Sequence, residues 1–258
     1  SIENGRWVVR RPVDFCRRLG LGTHGQTQGQ HNEVRFEWGT DCSDNSRADG
    51  LTIHTQGRRL RLHPLHRANK PDLLLVGGAG EYSLVHPTPA IDGLVSFLTR
   101  AVDGSVPIFA SCFGFHALAV GLGGRVIADE EHAEVGSYDM ELTADGQSDG
   151  LFGELPRQFV AQLGHKDRVD RLPDGVVLLA RSGLCPYQAF RLPGRAVYAT
   201  QFHPELDLRD NSLRFKGYLD TYGKLFGREN ALRKLRSFRQ SDEVNGLMRR
   251  FVDRFVLG

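Results

Sequence analysis

VPIFASCFGFHALAVGLGG, residues 106–124, reads as a strand driven straight into a helix. The apolar run 107–110 is bounded by turn signals, as a short buried strand is. Residues 115–122 form an apolar helix that closes on Gly123 and Gly124. Only Ser111, Cys112, Phe113 and Gly114 lie between them, enough for one tight turn. A strand, turn and helix of this kind, with small residues around a Ser or Cys, has the geometry of a nucleophile elbow. It pushes Cys112 out at the carboxyl edge of a sheet and at a helix N-terminus. There, backbone N–H groups and the helix dipole favour a thiolate. Taken alone, the stretch also fits a buried, inert cysteine, since free Cys is among the most buried residue types.

Upstream, residues 73–76 (LLLV) are a continuous apolar run, the pattern of a central parallel strand. They empty into Gly77-Gly78-Ala79-Gly80, a loop whose bare backbone lets a ligand approach closely. No GxGxxG and no Gly-Lys-Ser/Thr follows, which argues against a nucleotide site. Residues 91–102 place Ile91, Leu94, Val95, Leu98 and Val102 on one helical face. Strand, helix, strand, helix is the rhythm of a parallel sheet with helices on both sides. The expected fold class is α/β: a three-layer α/β/α (flavodoxin-like) domain with a mainly parallel central sheet and a small accessory β-hairpin layer.

Downstream, strands are expected at 125–128, 138–143, 158–163, 176–180, 187–192 and 196–202. Asp145-Gly146, Pro173-Asp174-Gly175 and Pro193-Gly194 are turn signals among them. The last strand breaks at Gln201-Phe202-His203-Pro204-Glu205, so His203 and Glu205 straddle a proline and can project from one edge. From residue 211 the chain reads as helical, with a stripe of Val244, Leu247, Met248, Phe251, Val252 and Phe255. This segment carries eleven Lys/Arg against five Asp/Glu, which usually means a solvated helix face. Among the first seventy residues, strands are expected at 7–9 and 34–38, a Gly/Gln-rich loop at 20–30 and a hairpin at 51–62. His63 and His66 lack a third ligand at metal spacing and read as a solvated turn, so no metal is expected.

With 258 residues, 40% hydrophobic and 25% charged, the chain is an ordinary globular one with enough residues for a substantial core. We expect one domain over 1–258, with an atypical opening at 1–70 and a C-terminal helical segment at 211–258. Cys16, Cys42, Cys112 and Cys185 are scattered with no CxxC, which fits a reduced, cytoplasmic setting. A net charge of +2 is too slight to imply nucleic acid. No apolar run reaches membrane-span length, and the first residues lack the apolar core of a signal peptide.

Cys112, the Gly77-Gly78 loop and His203-x-Glu205, in that order, resemble the class I glutamine amidotransferases, most nearly their stand-alone GMP synthase-type domains. LLLVGGAGEYS is similar to the family's strand and oxyanion loop, usually GGP. SCFGFHALAVGLGGRV is similar to its elbow, G-x-C-x-G-x-Q. GHKDRVDRLPDGVVLLA resembles its S-H-x-D-x-V-x-x-L-P-x-G segment, and QAFRLPGRAVYATQFHPE its closing strands and His-Pro-Glu. SDEVNGLMRRFVDRF is a weaker echo.

The resemblance implies an enzyme without a cofactor. Cys112 attacks the side-chain amide of glutamine to give a γ-glutamyl thioester and ammonia. His203 moves the proton, and Glu205 orients the imidazole. Backbone N–H groups of Gly78 and Phe113 form the oxyanion hole, and Gly77, His116, Gly164, His165, Lys166 and Asp167 bind substrate. Four positions depart from the pattern: Ala110, Ala79, His116 for the usual Gln and Lys166 for the usual Gly. The ammonia acceptor would be a synthetase on a separate chain. Two alternatives stand beside this: a free-standing hydrolase of γ-glutamyl amides or peptides, and a non-catalytic binding or regulatory module.

Overall fold

The computed structural model describes residues 73–257 except Glu81, together with four short strands nearer the N-terminus. These are β1 (Ile2–Glu3), β2 (Arg6–Trp7), β3 (Thr52–Thr55) and β4 (Arg58–Arg61), paired β1 with β2 and β3 with β4, both antiparallel. Thr55 faces Arg58 across Gln56-Gly57, which is the hairpin expected at 51–62. The strand expected at 34–38, the loop at 20–30 and the His63/His66 pair lie outside the described residues. The chain divides into two compact units, residues 1–74 and 75–258.

Nine further strands follow: β5 (Leu74–Val76), β6 (Ile108–Ser111), β7 (Arg125–Ala128), β8 (Glu134–Leu142), β9 (Gln158–His165), β10 (Asp167–Arg171), β11 (Val177–Ser182), β12 (Ala189–Leu192) and β13 (Val197–Thr200). Seven form one sheet in the order β5–β6–β13–β12–β11–β8–β9, while β7 and β10 make a separate antiparallel ribbon. β6 and β13 run parallel, but β13–β12, β12–β11, β11–β8 and β8–β9 are all antiparallel.

The mainly parallel, flavodoxin-like sheet expected from the sequence is therefore wrong. The fold is α/β, with a mixed, mostly antiparallel sheet flanked by helices. Connection length is the reason. Parallel neighbours need a crossover of about a dozen residues or more, yet only residues 193–196 join β12 to β13. A link that short makes a hairpin. The strand–helix alternation ends near Gly124, and parallel pairing is not sustained beyond it.

The α-helices among the described residues are α1 (Pro89–Asp103), α2 (Phe113–Gly121), α3 (Ala144–Ser148), α4 (Leu208–Gly217), α5 (Leu219–Phe226), α6 (Arg228–Arg236) and α7 (Leu247–Val252). The α1 helix starts at Thr88, whose hydroxyl accepts from Ile91 N–H at 3.4 Å, with Pro89 in the first turn. Thr99 of α1 donates to Gly121 O of α2 at 3.1 Å, tying the two together.

Elsewhere on the sheet, Phe109 and Tyr198 are register partners on β6 and β13 and so share a face. Phe251 of α7 meets both rings, at 5.4 and 5.8 Å. The expected C-terminal stripe is thus largely buried, with Val244, Leu247, Met248 and Phe251 in the core. Each such side chain contributes about 1.5–3 kcal/mol on burial, although regular helix lasts only over Leu247–Val252. Among the described residues, no helix is long and apolar enough to cross a membrane.

One consequence of the β6–β13 pairing matters for function. Ser111 and Thr200 are opposite each other at the ends of two parallel strands. The chain leaving β6 at Cys112 and the chain leaving β13 toward His203 therefore emerge at one sheet edge.

Candidate active site

Cys112 has φ 53° and ψ −105°, a left-handed conformation that an L residue rarely holds. It is clamped on both sides. Its N–H donates to Thr200 O at 2.8 Å, and its carbonyl accepts from His116 N–H at 3.1 Å. The α2 helix begins at the next residue without a side-chain cap, so the first amide groups of that helix open beside the sulfur.

His203 is fixed through its backbone, whose N–H donates to Gln162 O of β9 at 2.8 Å. Its Nδ1 donates to Glu205 Oε1 at 2.7 Å, and Ser111 Oγ donates to the same oxygen at 3.3 Å. The Gly78 loop closes the arrangement. A Cβ at Gly78 would stand 2.7 Å from His203 Cε1 and 3.4 Å from Cys112 Cβ, so the loop can sit there only as glycine. Gly78→Ala is expected to push the imidazole aside and lower turnover by about a hundredfold while leaving the melting temperature near wild type. Unchanged turnover would mean that the loop does not hold the ring.

Burial raises the Cys112 thiol, but the nearby His203 outweighs burial and holds the thiol below its ordinary value. For His203, burial lowers the imidazole, while the charges of Cys112 and Glu205 raise it to about 9. Burial likewise opposes the Glu205 carboxylate, and His203 lowers it. The two groups titrate as a coupled pair, the thiol held low and the imidazole held high. Stability linked to His203 is fully present below its ordinary value of 6.5 and is lost as pH rises through about 9. Alkylation of Cys112 by iodoacetamide should persist well below the pH at which an ordinary thiol stops reacting. His203→Asn should return it to ordinary thiol behaviour, read by peptide mapping across pH. Identical profiles would remove His203 as the cause.

The other residues expected at the substrate site take several positions. His116 is buried, and its Nε2 donates to Gln201 Oε1 at 2.6 Å. Burial, then the charge of His165, lowers its imidazole to about 3 against that hydrogen bond, so the ring is neutral. Gly77 has nothing within 4 Å of a built Cβ and is open. His165 donates from Nδ1 to Asp167 O at 2.9 Å and meets Glu134 Oε2 through Nε2 at 3.0 Å. Asp167 accepts from the Ser83 hydroxyl, linking β10 to the loop after Gly80. Gly164 O accepts from Arg214 Nη2 at 3.1 Å. Lys166 lies elsewhere: its ammonium is solvent-exposed, 3.8 Å from Glu130 Oε1.

The family model "Glutamine amidotransferase class-I" matches residues 51–219. The chain belongs to the class I glutamine amidotransferase family. It is 31% identical over 118 residues to the glutamine-hydrolyzing GMP synthase subunit of Methanocaldococcus jannaschii, over 46% of this chain and 61% of that one. It is 35% identical over 140 residues to the corresponding subunit of Methanosarcina mazei, over 54% and 67%. Against the GMP synthase of Thermosipho melanesiensis the identity is 36% over 102 residues, 40% of this chain but only 19% of that protein. A glutamine amidotransferase crystal structure from Thermotoga maritima aligns with TM-score 0.57 at 22% identity, covering 76% of this chain and 83% of that one. One from Methylobacillus flagellatus aligns at 0.55 and 20%, covering 76% and 80%. These two likenesses speak for the fold.

The chain also contains a second Cys, His and Glu set, at Cys185, His165 and Glu134, whose donor atoms lie within 4.8 Å of one another. Its chemistry differs from that around Cys112. Glu134 is fully buried, meeting His165 and accepting from Ser182 Oγ at 2.7 Å and from the Gln188 amide. Burial and the Glu134 charge push the Cys185 thiol up, and it faces His132 O at 3.6 Å. A protonated thiol is not a nucleophile. The hydrogen bonds of the set hold His165 in place. Sequence reasoning missed Glu134, Gln201, Arg214 and Tyr222. Nothing in the sequence set Arg214 or Glu134 apart from charged residues that face water.

Proposed function

We propose that this chain hydrolyses glutamine to glutamate and ammonia, and that the ammonia serves a partner synthetase of the GMP synthase kind. The observation that carries the reading is the strained Cys112 beside Gly78 and the His203–Glu205 pair. The Cys112 thiolate attacks the side-chain carbonyl carbon. The oxyanion is received by the N–H groups of Gly78 and Phe113, the latter at the open start of α2. His203 gives its proton to the amide nitrogen, the C–N bond breaks, and ammonia leaves a γ-glutamyl thioester. Water then attacks with His203 as base, releasing glutamate and the thiolate. Glu205 holds the imidazole through Nδ1 so that Nε2 is the nitrogen that exchanges protons.

Glutamine is favoured over a γ-glutamyl peptide because the Lys166 ammonium, the candidate for a second carboxylate, stands in solvent beside Glu130. The test is release of ammonia and glutamate in equal amounts from amide-labelled glutamine by the purified chain. Turnover should rise when a synthetase lacking its own glutaminase domain is added. A folded chain that releases neither product, with or without such a partner, overturns the reading.

A further inference from the structure

Arg214 has no role in the chemistry above, yet it is built into the same edge. Gln162 and Gly164 are two residues apart on β9, so their carbonyls point to the same side. The first receives His203 N–H at 2.8 Å and the second receives Arg214 Nη2 at 3.1 Å. The guanidinium thus lies along the strand segment that holds His203. Room for it exists because residue 164 is glycine: a Cβ there would be 1.8 Å from Nη2. The other arm, Nη1, is buried and has no hydrogen-bond partner among the described residues. A buried N–H without a partner calls for one.

The surroundings fit a ligand at that arm. One helical turn beyond Arg214, the Tyr218 hydroxyl comes within 3.6 Å of a Cβ built on Gly80, in the loop that carries Gly78. On the next turn Tyr222 N–H donates to Tyr218 O at 2.9 Å, and burial pushes its hydroxyl up against the opposing charge of Arg214. Tyr218, one turn from Arg214, therefore faces the loop that carries Gly78. The Arg214 charge also helps to hold Cys112 and Glu205 in their anionic forms.

We infer that Arg214 Nη1 binds the carboxylate of the amide donor and so selects substrates with a free carboxylate, as glutamine has. The inference rests on the glutaminase reading of this site. A guanidinium suits the task because its planar fork leaves one arm for the Gly164 carbonyl and presents the other to the anion.

The test uses labelling rather than turnover. The chloromethyl ketone analogue of glutamine alkylates a thiolate: Sγ bonds to the chloromethyl carbon, the C–Cl bond breaks, and chloride leaves with the electron pair. The same compound with its carboxylate capped as an amide undergoes the same step without the anion. Wild-type Cys112 should prefer the free acid. Arg214→Met should lower the acid-to-amide rate ratio by about tenfold or more, and Arg214→Lys should keep part of it. A merely structural role would slow both reagents alike and leave the ratio unchanged, which would overturn the inference. Cys112 unlabelled by either reagent would overturn this inference and the nucleophile assignment together. A chain that keeps the ratio and its Arg214 dependence but does not hydrolyse glutamine would sink the glutaminase reading alone, with Arg214 upheld.

Discussion

Cys112→Ala is expected to abolish glutamine hydrolysis, lowering turnover by about four orders of magnitude or more. The size of the effect follows from what alanine cannot replace. The sulfur is the atom that would form the thioester, and it sits where the φ 53° backbone, the start of α2 and the Gly78 loop converge. Cys185 offers no rescue, because burial and Glu134 keep its thiol protonated. Cys112→Ser should be nearly as inactive, since an alcohol ionises far less readily than a thiol and is the weaker nucleophile. Glutamate release measures both variants, and mass mapping of chloromethyl ketone labelling locates the reactive sulfur. Turnover within about tenfold of wild type in the alanine variant would remove Cys112 from the chemistry.

The parts of this site legible in the sequence were those fixed by local rules. A short apolar run, small residues and an apolar helix place Cys112 at an elbow whatever the rest of the chain does. A strand broken at Pro204 places His203 and Glu205 at a strand end. That these two ends meet depends on β6 and β13 being parallel neighbours, a pairing that agrees with the alternation of strands and helices around Cys112. The remaining sheet direction was written in short links such as Pro193-Gly194, which outweigh the rhythm of an earlier segment.

Arg214 and Glu134 were not legible for a different reason. In sequence each is a charged residue of the sort that usually faces water. Only the folded chain puts Arg214 against the bare backbone of Gly164, and Glu134 against a histidine thirty-one residues away. The basic surplus of the C-terminal segment shows the same limit. Lys234 donates to the Tyr138 hydroxyl at 3.1 Å and lies over the Phe226 ring, so part of that charge is spent inside the fold.

Glu134→Ala should be the most damaging change to stability, costing about 3–5 kcal/mol. Glu134 is fully buried, and the side chain of its partner His165 is 2% exposed. His165 Nδ1 faces the Asp167 carbonyl and Nε2 faces the carboxylate. Both ring nitrogens are thus held by buried oxygen partners. Removing the carboxylate leaves His165 Nε2, the Ser182 hydroxyl and the Gln188 amide without that partner in a buried place. Glu134→Gln keeps the volume and one acceptor but not the charge, and should cost less. Against a typical total of about 5–15 kcal/mol, the alanine variant stands near the limit of folding. Its denaturant midpoint should fall sharply with the slope unchanged. Because His165 leads into residues 166 and 167, the glutamine variant should raise KM more than it lowers kcat. A midpoint within about 1 kcal/mol of wild type for alanine would mean that water enters and solvates the groups Glu134 had paired, so that the pair is not structurally required.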